Sequence, residues 1–167
     1  MSRPKLEVKK LFEIFLYSFT HEKNFLFENK IKIKFIGDLD ELPVTIKLEA
    51  KLLENETKLF KQLNLNIALN YGGKQDIEQA VKKSLSTDIR NSNFKNFLYS
   101  KDLPDVDILI RTGGYKRLSN FLLWQIPYAE LYFTNICWPD FNKKSFLKSL
   151  DWYSSIDRKF GKSYSVK

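Results

Sequence analysis

Cysteine, histidine and methionine each occur once in these 167 residues, and there are six glycines and five prolines. A lone cysteine, Cys137, excludes an intramolecular disulfide and a cysteine-rich zinc site, and it fits a reducing compartment. The lone histidine, His21, falls in a helical pattern. Serine–histidine–aspartate chemistry would have to run through it, and a helix-surface role is the simpler reading. No apolar run reaches the about 18 residues of a membrane span, and the opening MSRPKLEVKK lacks the apolar centre of a signal peptide. These absences predict a cytoplasmic protein. Basic blocks are also missing: the net charge of +8 is spread along the chain without five or six like charges in a row. That balance suits phosphorylated metabolites or a membrane surface, and no nucleic-acid partner is expected. Neither a Walker sequence nor GxGxxG occurs, which removes the usual support for a nucleoside triphosphate or a dinucleotide.

What is abundant is aromatic: 14 Phe, 8 Tyr and 3 Trp, enough for a Phe-rich core or an apolar cavity. The length predicts a single domain. Apolar residues at three- and four-residue steps predict a helix over 4–27, another over 42–62 and a third over 75–86. KIKIKFIGD (30–38) alternates lysine with apolar residues and reads as a strand with an edge position or a thinly covered side. LNLNIALN (63–70), 106–110 and 130–134 are further strands. A short helix is expected near Phe94 to Leu98, an apolar helical turn over 120–126, and a last helix over 141–160. Strands alternating with helices predict an α/β fold, a mostly parallel sheet flanked by helices.

Ligands of such sheets bind at the carboxyl ends of the strands. Three strand ends carry distinctive residues, at 37–38, 70–74 and 111–114, and are expected on one rim. In DILIRTGGYKRLSNFLLWQ (107–125) a strand runs into Arg111, then Gly113 and Gly114. A glycine pair can turn sharply and present N–H groups to a ligand. Arg111, Arg117 and Ser119 would add donors, and together they make a plausible diphosphate cradle. The plainer alternative is that Arg111 pairs with a carboxylate while Ser119 caps a helix. Of the carboxylates expected near the rim, Asp38, Glu130 and Asp140, Glu130 could ligate Mg²⁺ beside a diphosphate or form a salt bridge.

These residues resemble a known family. RTGGYKRLSNFLLWQIPYAELYFTNICWPDF (111–141) is similar to the C-terminal signature of the cis-prenyltransferases, and NIALNYGGKQDI (66–77) and IGD (36–38) are similar to further family segments in the same order. The resemblance implies repeated condensation of isopentenyl diphosphate onto an allylic diphosphate such as farnesyl diphosphate. It implies substrate contacts from Arg3, Arg111, Arg117, Leu118 and Ser119. Glu130 would bind Mg²⁺ in a site completed by a partner subunit or by the other end of the chain. It further implies a homodimer, and membrane-surface contact through the lipid product.

The chain departs from the family in one serious respect. The aspartate loop, of the type HxxxDGNGRWA, does not occur, and Met1-Ser2-Arg3-Pro4 matches only the tail of a second segment, FSxENWxRP. The expectation is therefore an incomplete cis-prenyltransferase domain over 1–167, without a catalytic aspartate, marginally stable and inactive by itself. The alternative is a non-catalytic subunit that donates its diphosphate loop to a full-length partner. Tyr115, where a glutamate commonly follows the glycine pair, is a smaller departure that removes a carboxylate from an anion-binding loop.

Overall fold

The computed structural model describes residues 4–86 and 93–158. They group into two compact units, Met1–Ser100 and Lys101–Lys167. The fold class is α/β, with each unit built around a pair of parallel strands.

In the first unit, α1 (Lys5–His21) and α2 (Lys23–Glu28) replace the single helix that the apolar spacing predicts. The chain breaks at Glu22, which closes α1 by donating its N–H to Ser18 O and opens α2 by accepting from Leu26 N. His21 is exposed, donates through Nδ1 to Tyr17 O at 2.8 Å and stacks on the Tyr17 ring, as a helix-surface residue would.

Strand β1 (Ile31–Ile36) pairs in parallel with β2 (Leu63–Ala68), Ile31 opposite Leu63 through Ile36 opposite Ala68. Between them lies α3 (Val44–Thr57), whose Ile46, Ala50 and Leu53 pack with Ile31, Ile33, Phe35 and Phe19 in the core. The alternation of β1 is real: Ile31, Ile33 and Phe35 are buried, while Lys32 and Lys34 are half-buried. The expected edge is also there, and α3 covers it. Ile33 N donates to Thr57 Oγ1 at 3.1 Å and Phe35 N to Glu54 Oε1 at 2.7 Å, which satisfies donors that an open edge leaves for another chain.

The two strand ends of this unit are tied together. Asp38 N donates to Asn70 O at 3.2 Å and Asn70 Nδ2 to Asp38 O at 3.0 Å. Gly37 makes the approach possible, with φ of 126° and a Cβ position that would fall 2.0 Å from Leu69 O. Gly37→Ala should therefore cost roughly 2 kcal/mol through strain and backbone displacement, seen as a lower urea midpoint with an unchanged slope. An unchanged midpoint would contradict it. After Gly72, α4 (Gly73–Leu85) begins, and a 3₁₀ turn follows at Phe94–Phe97, where a short helix is expected.

In the second unit, β3 (Ile108–Arg111) pairs in parallel with β4 (Glu130–Phe133), Ile108 opposite Glu130 and Arg111 opposite Phe133. A 3₁₀ turn at Trp138–Asp140 leads to α5 (Lys143–Ser154), capped by Asn142 Oδ1, which accepts from Ser145 N at 3.1 Å. Among the described residues α5 ends six residues before the expected boundary at 160, with Ser155 N closing the last turn onto Trp152 O. No described helix is long and apolar enough to cross a membrane.

The helical turn expected over 120–126 does not form. Ser119, Asn120 and Leu122 take positive φ of 48°, 65° and 46°, and the segment is a chain of tight turns. Phe121 N bonds to Leu118 O and Gln125 N to Leu122 O, three-residue reaches that cannot propagate an α-helix. Apolar residues here bury in turns: Leu122 and Ile126 belong to the buried set.

Candidate functional site

The glycine pair behaves differently from the expectation. Gly113 and Gly114 have φ of 83° and 79°, so the sharp turn does require them. Their amides, however, are taken by the chain itself: Gly113 N donates to Ile136 O and Gly114 N to Thr134 O, each at 2.9 Å. The pair fastens the turn to the segment after β4 and offers no free N–H to a ligand. Ser119, having no helix to cap, is released for another role.

That role is with Arg111. At the carboxyl end of β3, Arg111 Nη1 donates to Ser119 Oγ at 3.0 Å and to the carbonyl of Arg117, which folds the loop back over the strand end. A cavity of about 330 Å³ opens here, lined by Arg111, Thr112, Arg117, Leu118, Ser119 and Phe121 among others. Four of the residues expected to contact substrate, Arg111, Arg117, Leu118 and Ser119, thus line one cavity. Arg3 lies outside the described residues. Among the described residues neither guanidinium has a carboxylate within ion-pair distance, and Arg111 Nε is buried with no hydrogen-bond partner. The carboxylate-paired reading of Arg111 is not what the fold builds. Two cations facing one cavity without compensation, one of them holding back a buried donor, form an arrangement suited to an anion.

Glu130 sits elsewhere. It starts β4 opposite Ile108, three residues down the sheet from the pair made by Arg111 and Phe133, or about 10 Å along the strand. The expectation that it shares the rim with Arg111 is therefore not met within the second unit. Its partner is Arg158, whose Nε is 3.8 Å from Glu130 Oε1. Arg158 also donates to Asp107 Oδ1 and Tyr153 Oη, each at 2.6 Å, and to Tyr128 O at 3.1 Å, so it staples the foot of both strands to the chain beyond α5. Sequence reading missed this staple, because nothing in the spacing links residues 107, 130 and 158.

Magnesium requires several oxygen ligands in near-octahedral geometry. Among the described residues no group of three or more His, Cys, Asp or Glu is placed to hold a metal ion, and Glu130 already faces a guanidinium. The described residues do not by themselves make a magnesium site.

The first unit has its own cavity at the carboxyl ends of β1 and β2, about 290 Å³, lined by Asp38, Glu41, Asn70, Glu78, Lys82 and Tyr99 among others. Its excess of carboxylates makes it a poor anion site. Behind it lies a buried carboxylate that the sequence did not announce. Asp76, 1% exposed, accepts from Tyr99 N and Ser100 Oγ, both at 2.6 Å, and from Gln79 Nε2 at 3.3 Å. Burial, reinforced by Asp76, pushes the Tyr71 hydroxyl well above its usual pKa. These bonds hold 97–100 against α4, since Gln79 Nε2 also donates to Phe97 O at 2.8 Å.

Comparison with known proteins matches residues 1–161 to the family described as "Putative undecaprenyl diphosphate synthase". A ditrans,polycis-undecaprenyl-diphosphate synthase of Haemophilus influenzae, (2E,6E)-farnesyl-diphosphate specific, is 43% identical over 96% of this chain and 71% of its own length. Crystal structures of "a probable undecaprenyl diphosphate synthase" from Campylobacter jejuni and of lavandulyl diphosphate synthase from Lavandula x intermedia in complex with dimethylallyl diphosphate are also similar. Their TM-scores are 0.86 and 0.91 at 33% and 30% identity, covering 96% of this chain and 77% and 74% of theirs. The two-strand parallel units, the sequence signature at 111–141 and these likenesses agree: the chain belongs to the undecaprenyl diphosphate synthase family of cis-prenyltransferases.

Proposed function

We propose that this chain serves an isoprenyl transferase reaction, in which isopentenyl diphosphate is condensed onto an allylic diphosphate to build a cis-polyprenyl diphosphate. The observation that carries the reading is the pair of uncompensated guanidiniums on the cavity at the end of β3. Arg111 and Arg117 would hold the diphosphate of isopentenyl diphosphate, with Ser119 Oγ, fixed by Arg111 at 3.0 Å, as a further contact. Leu118 with Leu109 and Phe121 supplies an apolar wall for the five-carbon chain, and a wall of that kind excludes water from an allylic cation.

Glu130 enters this reading as a magnesium ligand only together with oxygen donors beyond the described residues. The reading includes a homodimer and a membrane-surface contact made by the product, which the charge of +8 favours on anionic lipid. The DGNGR-type aspartate loop of the family does not occur in these 167 residues, and turnover in this reading requires it.

Incubation with farnesyl diphosphate, labelled isopentenyl diphosphate and Mg²⁺ tests this. The 167-residue chain should bind isopentenyl diphosphate yet yield no polyprenyl product alone, and should yield product, or raise the partner's yield, when mixed with a full-length prenyltransferase. Product from the chain alone would refute the division of labour. Failure to bind isopentenyl diphosphate would refute the reading as a whole.

A further inference from the structure

Among the described residues of the second unit, one aromatic ring touches both arginines of the cavity. The Tyr115 centroid lies 4.2 Å from Arg117 Cζ and 5.8 Å from Arg111 Cζ. Arg117 projects from an exposed turn, and among the described residues no carboxylate holds it. Its guanidinium is stacked instead on the face of a neutral ring, which attracts a cation without cancelling its charge. Tyr115 is itself 55% exposed, so the ring is not spent on filling a core.

We propose that Tyr115 is a positioning residue, a neutral brace that aligns Arg117 with Arg111 so that a diphosphate meets two fixed, unpaired cations. The proposal rests on the reading of this cavity as a diphosphate site and adds how its second cation is held. The face of the ring holds the arginines without occupying their N–H donors. The turn that delivers Tyr115 is the one pinned by Gly113 N and Gly114 N to the segment after β4, so the brace is anchored through the backbone.

The test is calorimetric titration of the full chain with inorganic pyrophosphate and, separately, orthophosphate. Tyr115→Phe keeps the ring and should stay within about twofold of the parent. Tyr115→Leu should weaken pyrophosphate binding about three- to fivefold and narrow its preference over orthophosphate. Both should keep the thermal midpoint within about 2 °C, as expected of exposed substitutions. An unchanged affinity in Tyr115→Leu, alongside a clear loss in Arg117→Ala, would overturn the brace while leaving the diphosphate site intact. Equal losses in Tyr115→Phe and Tyr115→Leu would overturn it in favour of a hydroxyl contact, and a lowered midpoint in Tyr115→Leu would overturn it in favour of a structural role. A parent chain that binds no pyrophosphate would overturn the underlying reading and the brace with it.

Discussion

Replacing Arg111 by alanine should weaken isopentenyl diphosphate binding about 100-fold, equivalent to about 2.7 kcal/mol. Charge-assisted hydrogen bonds contribute about 1.5–3 kcal/mol each, and Arg111 brings a full fork of donors, including a buried Nε that has no partner among the described residues. Alanine removes the charge and also frees Ser119 Oγ and the Arg117 carbonyl, both fixed by Arg111 Nη1. Arg111→Lys should recover part of the loss, to about tenfold below the parent, because an ammonium keeps the charge but lacks the planar fork. Ser119→Ala, which removes a single neutral hydroxyl, should cost about two- to fivefold. Calorimetry on the three variants checks this order. A lysine variant that binds as well as the parent would show that fork geometry contributes nothing, and one that binds no better than the alanine variant would show that charge alone contributes nothing.

The largest stability effect is expected at Asp76. Asp76→Ala removes the acceptor for Tyr99 N, Ser100 Oγ and Gln79 Nε2 in a place water does not reach, the residue being 1% exposed. Stranding several buried donors costs about 3–5 kcal/mol, which for a unit of this size lowers the thermal midpoint by roughly 15 °C. Tyr71 adds a pH signature. Burial, with Asp76 as a second cause, holds its folded pKa above the ordinary value, whereas the unfolded chain ionises near the ordinary value of about 10. Above that pH the unfolded state releases a proton that the folded state keeps. The associated stability is full below about pH 10 and is lost as pH climbs towards the folded value. Melting the parent at pH 8 and pH 10.5 should show the fall. A midpoint that does not move with pH, or an Asp76→Ala chain as stable as the parent, would contradict this account of the buried network.

The sequence made the elements legible where a single period dominated. The lysine alternation placed β1, the Leu and Asn alternation placed β2, and both lie within the strands expected for them. Local pattern misled where tertiary bonds decided. Ser119-Asn120 followed by apolar residues imitates a helix start, but the three positive φ values of the segment serve the folding of the loop around Arg111. Gly113-Gly114 imitates a ligand-binding turn, yet its amides are consumed by carbonyls some twenty residues away in sequence. The site itself was half legible. Arg111, Arg117, Leu118 and Ser119 are close in sequence and do share a cavity, whereas the stacking of Tyr115 on two arginines and the bonds of Asp76 to 99–100 depend on distances that no spacing encodes.

In the proposed reading the cavity at the end of β3 takes the diphosphate of a prenyl substrate. A crystal structure of the chain soaked with isopentenyl diphosphate tests it most directly. The diphosphate should lie within hydrogen-bond distance of Arg111 Nε, the Arg117 guanidinium and Ser119 Oγ, with the five-carbon chain against Leu118 and Phe121. A diphosphate bound elsewhere, for instance at the Asp38–Lys82 cavity of the first unit, with the Arg111 cavity empty, would contradict it.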